Sequence, residues 1–198
     1  MSDRVFKLIG ATNHLAESSP NRAKNDFYST PRIATEELLK MLKKHNIVLS
    51  KTIIEPGVGN GGIANVLLDN DYKVIGYDII DRGFPETILK DFREIERPNI
   101  PISIIANFPF SDILEMTYKS LSLLNNGEYL ISFARIQFLE GIKRRELFDR
   151  FPPRFVFVFS KRIRCFNEDK HTDEASAICF AWFVWEKGYT GLPTIDWI

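Results

Sequence analysis

Short apolar runs alternate along this chain with longer stretches of helical periodicity. Thr52-Ile53-Ile54, Lys73-Val74-Ile75-Gly76-Tyr77, Ile102-Ser103-Ile104-Ile105-Ala106 and Phe155 to Phe159 are short and rich in β-branched or aromatic residues, which predicts strands. Further strands are predicted near Ile88, near Tyr129 and from Ala177 to Trp185, seven in all. A helix is predicted from Thr30-Pro31 to about His45, with Pro31 in the first turn, where its missing N–H is harmless. Others are predicted near Gly62, Ser111 and Glu140. Strands alternating with helices imply an α/β fold with a mostly parallel sheet and helices on both faces. The loop between Phe159 and Ala177 has no helical pattern, so the last strand is expected to run antiparallel.

The segment after the first strand, Glu55-Pro56-Gly57-Val58-Gly59-Asn60-Gly61-Gly62, leads into the apolar-periodic Ile63 to Leu68. Strand, glycine loop and helix in that order form a Rossmann-like ligand cradle. Glycines let the backbone approach a ligand, and a helix start presents N–H groups to an anionic or carboxylate-bearing one. The second strand ends in Asp78, about 20 residues beyond the loop, where an acidic residue typically holds ribose hydroxyls. Gly57, Gly59 and Gly62 also satisfy the dinucleotide pattern G-x-G-x-x-G. Glu55 argues against a dinucleotide, because a carboxylate there would repel a pyrophosphate. The same carboxylate suits S-adenosylmethionine, which has no phosphate and carries an ammonium and a sulfonium. The competing structural reading is a glycine loop that only turns the chain.

Directly after the strand at Ile102 comes Asn107-Phe108-Pro109-Phe110. An exocyclic amine of a base is a poor nucleophile, since its lone pair is delocalised into the ring, and it needs acceptors that draw it toward tetrahedral geometry. Asn107 offers a side-chain oxygen, Phe108 a carbonyl, Pro109 a turn fixed through its locked φ, and Phe110 a ring on which a base can stack. Alone, the four residues read equally as a strand-to-loop corner with two buried aromatics. Loop, acid and corner all fall at successive strand ends, where open α/β sheets bind ligands.

The chain resembles the small S-adenosylmethionine-dependent DNA adenine-N6 methyltransferases common in phages and prophages. The resemblance rests on Asp26 to Pro31, Ile54 to Gly62, Gly76 to Ile79 with Asp81-Arg82-Gly83, Lys90-Asp91-Phe92 and Asn107 to Phe110. It continues through Phe138 to Gly141, Arg144-Arg145 and Ala181 to Glu186. It implies the class I methyltransferase fold, with a seven-stranded, mostly parallel sheet whose last strand is antiparallel. It implies that Phe27, Tyr28, Thr30, Pro31, Glu55, Gly57, Gly59 and Gly61 line the cofactor pocket. Asp78, with Ile79 beside it, would hold the ribose, Asp91 and Phe92 would reach the cofactor's adenine, and Asn107 would border cofactor and substrate alike. The sequence departs from the family at Phe108, where the family usually has proline. A non-proline residue there is similar to the corner of ribosomal RNA adenine dimethyltransferases, which keeps RNA open as a substrate beside DNA. A cofactor-binding relative without catalysis is the third reading.

At 198 residues and 44% hydrophobic, the chain can bury a substantial core, expected as one domain over 26–198 after a polar N-terminal segment, 1–25. That segment does not read as a signal peptide, and no apolar stretch is long enough to cross a membrane, so a cytoplasmic protein is expected. Cys165 and Cys179 lack Cys-x-x-Cys spacing, and His14, His45 and His171 show no ligand pattern, so neither disulfide nor metal site is indicated; Cys179 is expected in a strand core and Cys165 in a loop. The formal net charge is zero, awkward for a protein that binds nucleic acid. Between Arg135 and Lys170, however, ten basic residues stand against five acidic ones. The helix from Gly141 to Arg150 reads about equally as a phosphate surface or a solvated face. Lys161, Arg162 and Arg164 are the stronger substrate candidates because they open a loop at the sheet edge, near where Phe166 could reach a flipped base.

Overall fold

A computed structural model describes residues 28–163 and 178–198. Among the described residues eight strands form one sheet: β1 (Thr52–Pro56), β2 (Lys73–Asp78), β3 (Ile88–Leu89), β4 (Ile102–Ala106), β5 (Tyr129–Arg135), β6 (Phe155–Val158), β7 (Phe180–Glu186) and β8 (Thr194–Trp197). Their spatial order is β3-β2-β1-β4-β5-β7-β6-β8. Strands β1 to β5 pair in parallel, and β7 runs antiparallel to both β5 and β6. The expected seven strands are present, and β8 is an eighth, paired in parallel with the outer side of β6. It escapes pattern reading because it is four residues long and its Ile195 and Trp197 face solvent.

Four α-helices among the described residues flank the sheet: α1 (Arg32–Lys44), α2 (Ala64–Asp69), α3 (Ile113–Leu123) and α4 (Ile142–Arg150). Pro31 stands at the N-cap of α1 in an extended conformation, so its fixed φ starts the helix without removing a needed donor. Ala34, Leu38, Met41 and Leu42 give α1 the i, i+4, i+7, i+8 stripe that buries against the sheet.

The two-residue period of the strands divides the core between the two faces. In β7, Phe180, Trp182 and Val184 point to the face with Leu38 of α1 and Leu67 of α2, while Ala181, Phe183 and Trp185 point to the face with Ile113 of α3 and Leu147 of α4. Burying two tryptophans leaves two indole N–H groups to satisfy: Trp182 donates to the Ala34 carbonyl and Trp185 to that of Phe151, both at 2.9 Å. Cys179 lies just before β7 and is only half-buried, in a loop and not in a strand core as the sequence suggested. Cys165 and Ala177 lie outside the described residues.

Candidate functional site

Parallel pairing of β1, β2 and β4 brings Glu55, Asp78 and Asn107 to one edge of the sheet, the carboxyl ends of the strands. A cleft of about 960 Å³, counting its open mouth, lies over that edge. Tyr28, Thr30, Glu55, Gly57, Asp78, Ile79, Asp91, Phe92 and all four residues from Asn107 to Phe110 border it. Sequence-distant segments therefore converge on one concave site at the strand ends, where open α/β sheets bind ligands.

Glu55 is 3% exposed, and its Oε2 has no hydrogen-bond partner. Burial, and secondarily the charge of Asp78, push its carboxyl well above the ordinary range, although the Ala64 N–H opposes this by donating to it. A buried carboxylate with an orphaned oxygen in a cleft wall is a receptor for a cationic donor. An ammonium group answers that requirement, whereas a pyrophosphate would add a second negative charge.

Asp78 is pinned at the end of β2. Its Oδ2 accepts from the Gly59 N–H at 2.9 Å and its Oδ1 from the Ile80 N–H at 3.1 Å, which leaves remaining lone pairs for hydroxyl donors. Asp91 caps the short 3-10 turn Phe92–Glu94 by accepting the Arg93 N–H. The Arg93 guanidinium and that N–H hold the Asp91 carboxyl below its ordinary range. Phe92 is buried and contributes wall.

The residues 28–30 tie the glycine loop to the corner. Ser29 donates to Asn60 Oδ1 at 2.9 Å. A Cβ at Gly62 would lie 2.6 Å from the Thr30 carbonyl oxygen, so only glycine admits this approach. Asn107 Nδ2 donates to the Tyr28 carbonyl at 3.0 Å and to Thr30 Oγ1 at 3.1 Å. A carbonyl oxygen only accepts, so the atom facing Tyr28 is the amide nitrogen, and Oδ1 remains as the acceptor of the half-buried Asn107. Phe108 is 1% exposed and anchors the corner by its ring in the α3 face of the core. That burial gives the corner a fixed point at Phe108.

Several expected residues are placed elsewhere. Pro31 and Gly61 do not border the cleft: Pro31 caps α1, and Gly61, at φ +84°, lies against the ring of Phe84. Gly59 acts through its N–H on Asp78 and does not line the cleft. Lys161 and Arg162 are exposed beyond β6, at the same sheet edge but off the cleft. Phe27, Arg164 and Phe166 lie outside the described residues. On α4 the exposed charges are partly paired within the helix. Arg145 pairs with Asp149 and Arg150 with Glu146, while Arg144 bonds the carbonyls of Gln137 and Glu140. Pattern reading assigned no cleft role to Ser29 or Gly62, whose roles arise only from the approach of residues 28–30, nor to Lys90 and Arg93, which also border the cleft.

No protein-family model matches the chain, and no curated protein matches it in sequence. Solved structures do match. A protein assigned as an RNA methyltransferase from Pyrococcus horikoshii superposes with a TM-score of 0.63 at 16% identity, over 84% of this chain and 90% of that one. Magnesium protoporphyrin IX methyltransferase from Synechocystis PCC 6803, solved with bound S-adenosylmethionine, gives 0.55 at 13% identity over 79% of each chain. A modification subunit assigned to a type I restriction enzyme from Vibrio vulnificus gives 0.55 at 13% identity, over 87% of this chain and 47% of that one. The fold of this chain is thus the class I methyltransferase fold, with one strand added at its edge.

Proposed function

We propose that this protein is an S-adenosylmethionine-dependent methyltransferase acting on the exocyclic N6 amine of adenine in DNA. The observation that carries the reading is the tethering of Asn107. With Nδ2 committed to Tyr28 and Thr30, Oδ1 is the acceptor that a corner of this kind offers to an amine. The residues around the cleft fit the cofactor. Glu55 offers its unpartnered Oε2 to the ammonium, Asp78 offers lone pairs to the ribose hydroxyls, and Ile79, Asp91 and Phe92 border the place of the adenine. When bound, S-adenosylmethionine supplies an electrophilic methyl group.

The protein's part is to make the amine attack. An adenine enters a concave site of this kind only after leaving the base stack. Asn107 Oδ1 and the Phe108 carbonyl accept the two amine hydrogens, localise the lone pair on nitrogen, and stabilise positive charge as it develops there. Pro109 holds the turn and Phe110 flanks the base. The methylated ammonium is acidic enough to lose its proton to water, so no general base is needed.

RNA is the second reading, favoured by one specific residue, Phe108, and consistent with what the Pyrococcus structure is named for. DNA is favoured by the chain-wide family resemblance and by the name of the Vibrio subunit. Labelled methyl transfer to duplex DNA, single-stranded DNA and ribosomal RNA, all from cells lacking adenine methylation, separates them. Label in DNA alone is the expected result, and label in RNA alone selects the second reading.

A further inference from the structure

Among the basic residues of the second half of the chain, Arg135 differs from its neighbours. Arg145, Arg150 and Arg154 each pair with a carboxylate, and Arg93 and Arg97 earlier in the chain do the same. Among the described residues no carboxylate pairs with Arg135, and its Nε is buried without a hydrogen-bond partner. The guanidinium is only half-buried, so its charged donors, which no described carboxylate engages, are left for an arriving anion.

Its position says which anion. Arg135 ends β5, the strand beside β4, and so stands on the same sheet edge as the Asn107 corner. Its guanidinium carbon lies 3.9 Å from the centroid of the Phe110 ring. Phe110 borders the cleft and Arg135 does not, so the guanidinium covers the ring from outside the cleft. Stacking on an aromatic face fixes the plane of the guanidinium and leaves its edge as a pre-set fork for a tetrahedral oxyanion.

We propose that Arg135 holds the backbone phosphate of the target nucleotide, fixing the strand just outside the cleft while the base enters it past Phe110. The inference rests on the nucleic-acid reading given above. It makes a polynucleotide, and not a free nucleoside or a small acceptor, the substrate of this site. The stacked pair then serves both parts of one nucleotide: Phe110 flanks the base and Arg135 binds the phosphate.

The test uses the full chain with Arg135→Met, which keeps an apolar stem, and Arg135→Lys, which keeps the charge. The steady-state kinetics of methyl transfer to an unmethylated DNA duplex are followed across a salt series. Arg135→Met is expected to raise KM for DNA by about tenfold at low salt with kcat within about threefold, and to make the slope of log KM against log salt shallower by about one. Arg135→Lys is expected to retain the wild-type slope. Affinity for S-adenosylmethionine, read by calorimetry, is expected to stay within about twofold in both variants, since Arg135 does not border the cleft. An unchanged salt slope in Arg135→Met, or a loss confined to kcat, would show that the arginine only props the ring. A matching loss of cofactor affinity would assign it to the cofactor carboxylate and overturn the proposal. Failure of the wild-type protein to methylate any polynucleotide would overturn the broader reading together with this one, whereas a wild type active beside an Arg135→Met of unchanged slope would overturn this one alone.

Discussion

Replacing Asn107 by alanine separates chemistry from binding. The substitution removes Nδ2, with its bonds to the Tyr28 carbonyl and Thr30 Oγ1, and Oδ1, which no described group engages. The first loss is structural: two neutral hydrogen bonds amount to roughly 1–3 kcal/mol of stability, partly offset because solvent reaches a half-buried site. The second is catalytic. Loss of one preorganised partner of a developing charge lowers kcat by about 10²–10³-fold. Affinity for S-adenosylmethionine should stay within a few-fold, because Glu55 and Asp78 are untouched. Thr30→Val dissects the two effects, since it is nearly isosteric and removes only one acceptor for Nδ2. Freed from one tether, Asn107 should lose about 0.5–1.5 kcal/mol of orientation, a roughly 2- to 10-fold fall in kcat. Single-turnover methyl transfer under cofactor saturation gives the chemical step, and calorimetry gives cofactor affinity. An Asn107→Ala protein that transfers methyl at the wild-type rate, or one whose defect lies wholly in cofactor affinity, would refute the role given to this side chain.

Asp78→Asn should weaken S-adenosylmethionine by roughly 10- to 100-fold, the range for one charge-assisted hydrogen bond, and lower Tm, because the carboxylate also holds the Gly59 and Ile80 N–H groups; calorimetry and thermal melts read both. Glu55→Gln should raise Tm of the ligand-free protein at neutral pH while weakening the cofactor. The folded pKa of Glu55 lies above its ordinary value of 4.5, so the folded state binds more protons and stability falls as pH rises above that value; melts over a pH series should show this fall in the wild type and lose it in the variant. Asp196 in β8 accepts from Lys44 and His45, which, with the Trp197 N–H, hold its carboxyl well below its ordinary range. Its stabilising effect is therefore complete above the unfolded carboxylate range and is lost progressively as pH falls from that range through the lower folded one. Asp196→Asn should lower Tm at neutral pH, with the difference closing in acid.

The parts of this molecule legible from sequence are those that period and composition encode locally. The β-branched runs at Ile53, Val74 and Ile104 named their strands, and the glycine loop and Asp78 fell at the strand ends that the fold requires. What was not legible depends on segments distant in sequence. The tether on Asn107 comes from residues 77 and 79 positions away, and nothing in Tyr28 or Thr30 marks them as its partners. Gly62 reads as a loop glycine until Thr30 packs against it. The strand β8 is held by pairing with β6 and by Asp196 against α1 and His45, none of which leaves a periodic trace. Charge counting cannot see pairing either: Arg145 and Arg150 are each paired with an acid one turn away, and Arg135 stands apart only once its surroundings are known.

The proposed methyl transfer is directed at one atom, the exocyclic nitrogen of adenine. Its most direct test is to incubate the protein with labelled S-adenosylmethionine and unmethylated duplex DNA, digest to nucleosides, and identify the labelled species by mass. Label in N6-methyl-2′-deoxyadenosine is the predicted result. Label on a cytosine or on a ring nitrogen, or no label from a protein that demonstrably binds the cofactor, would contradict it.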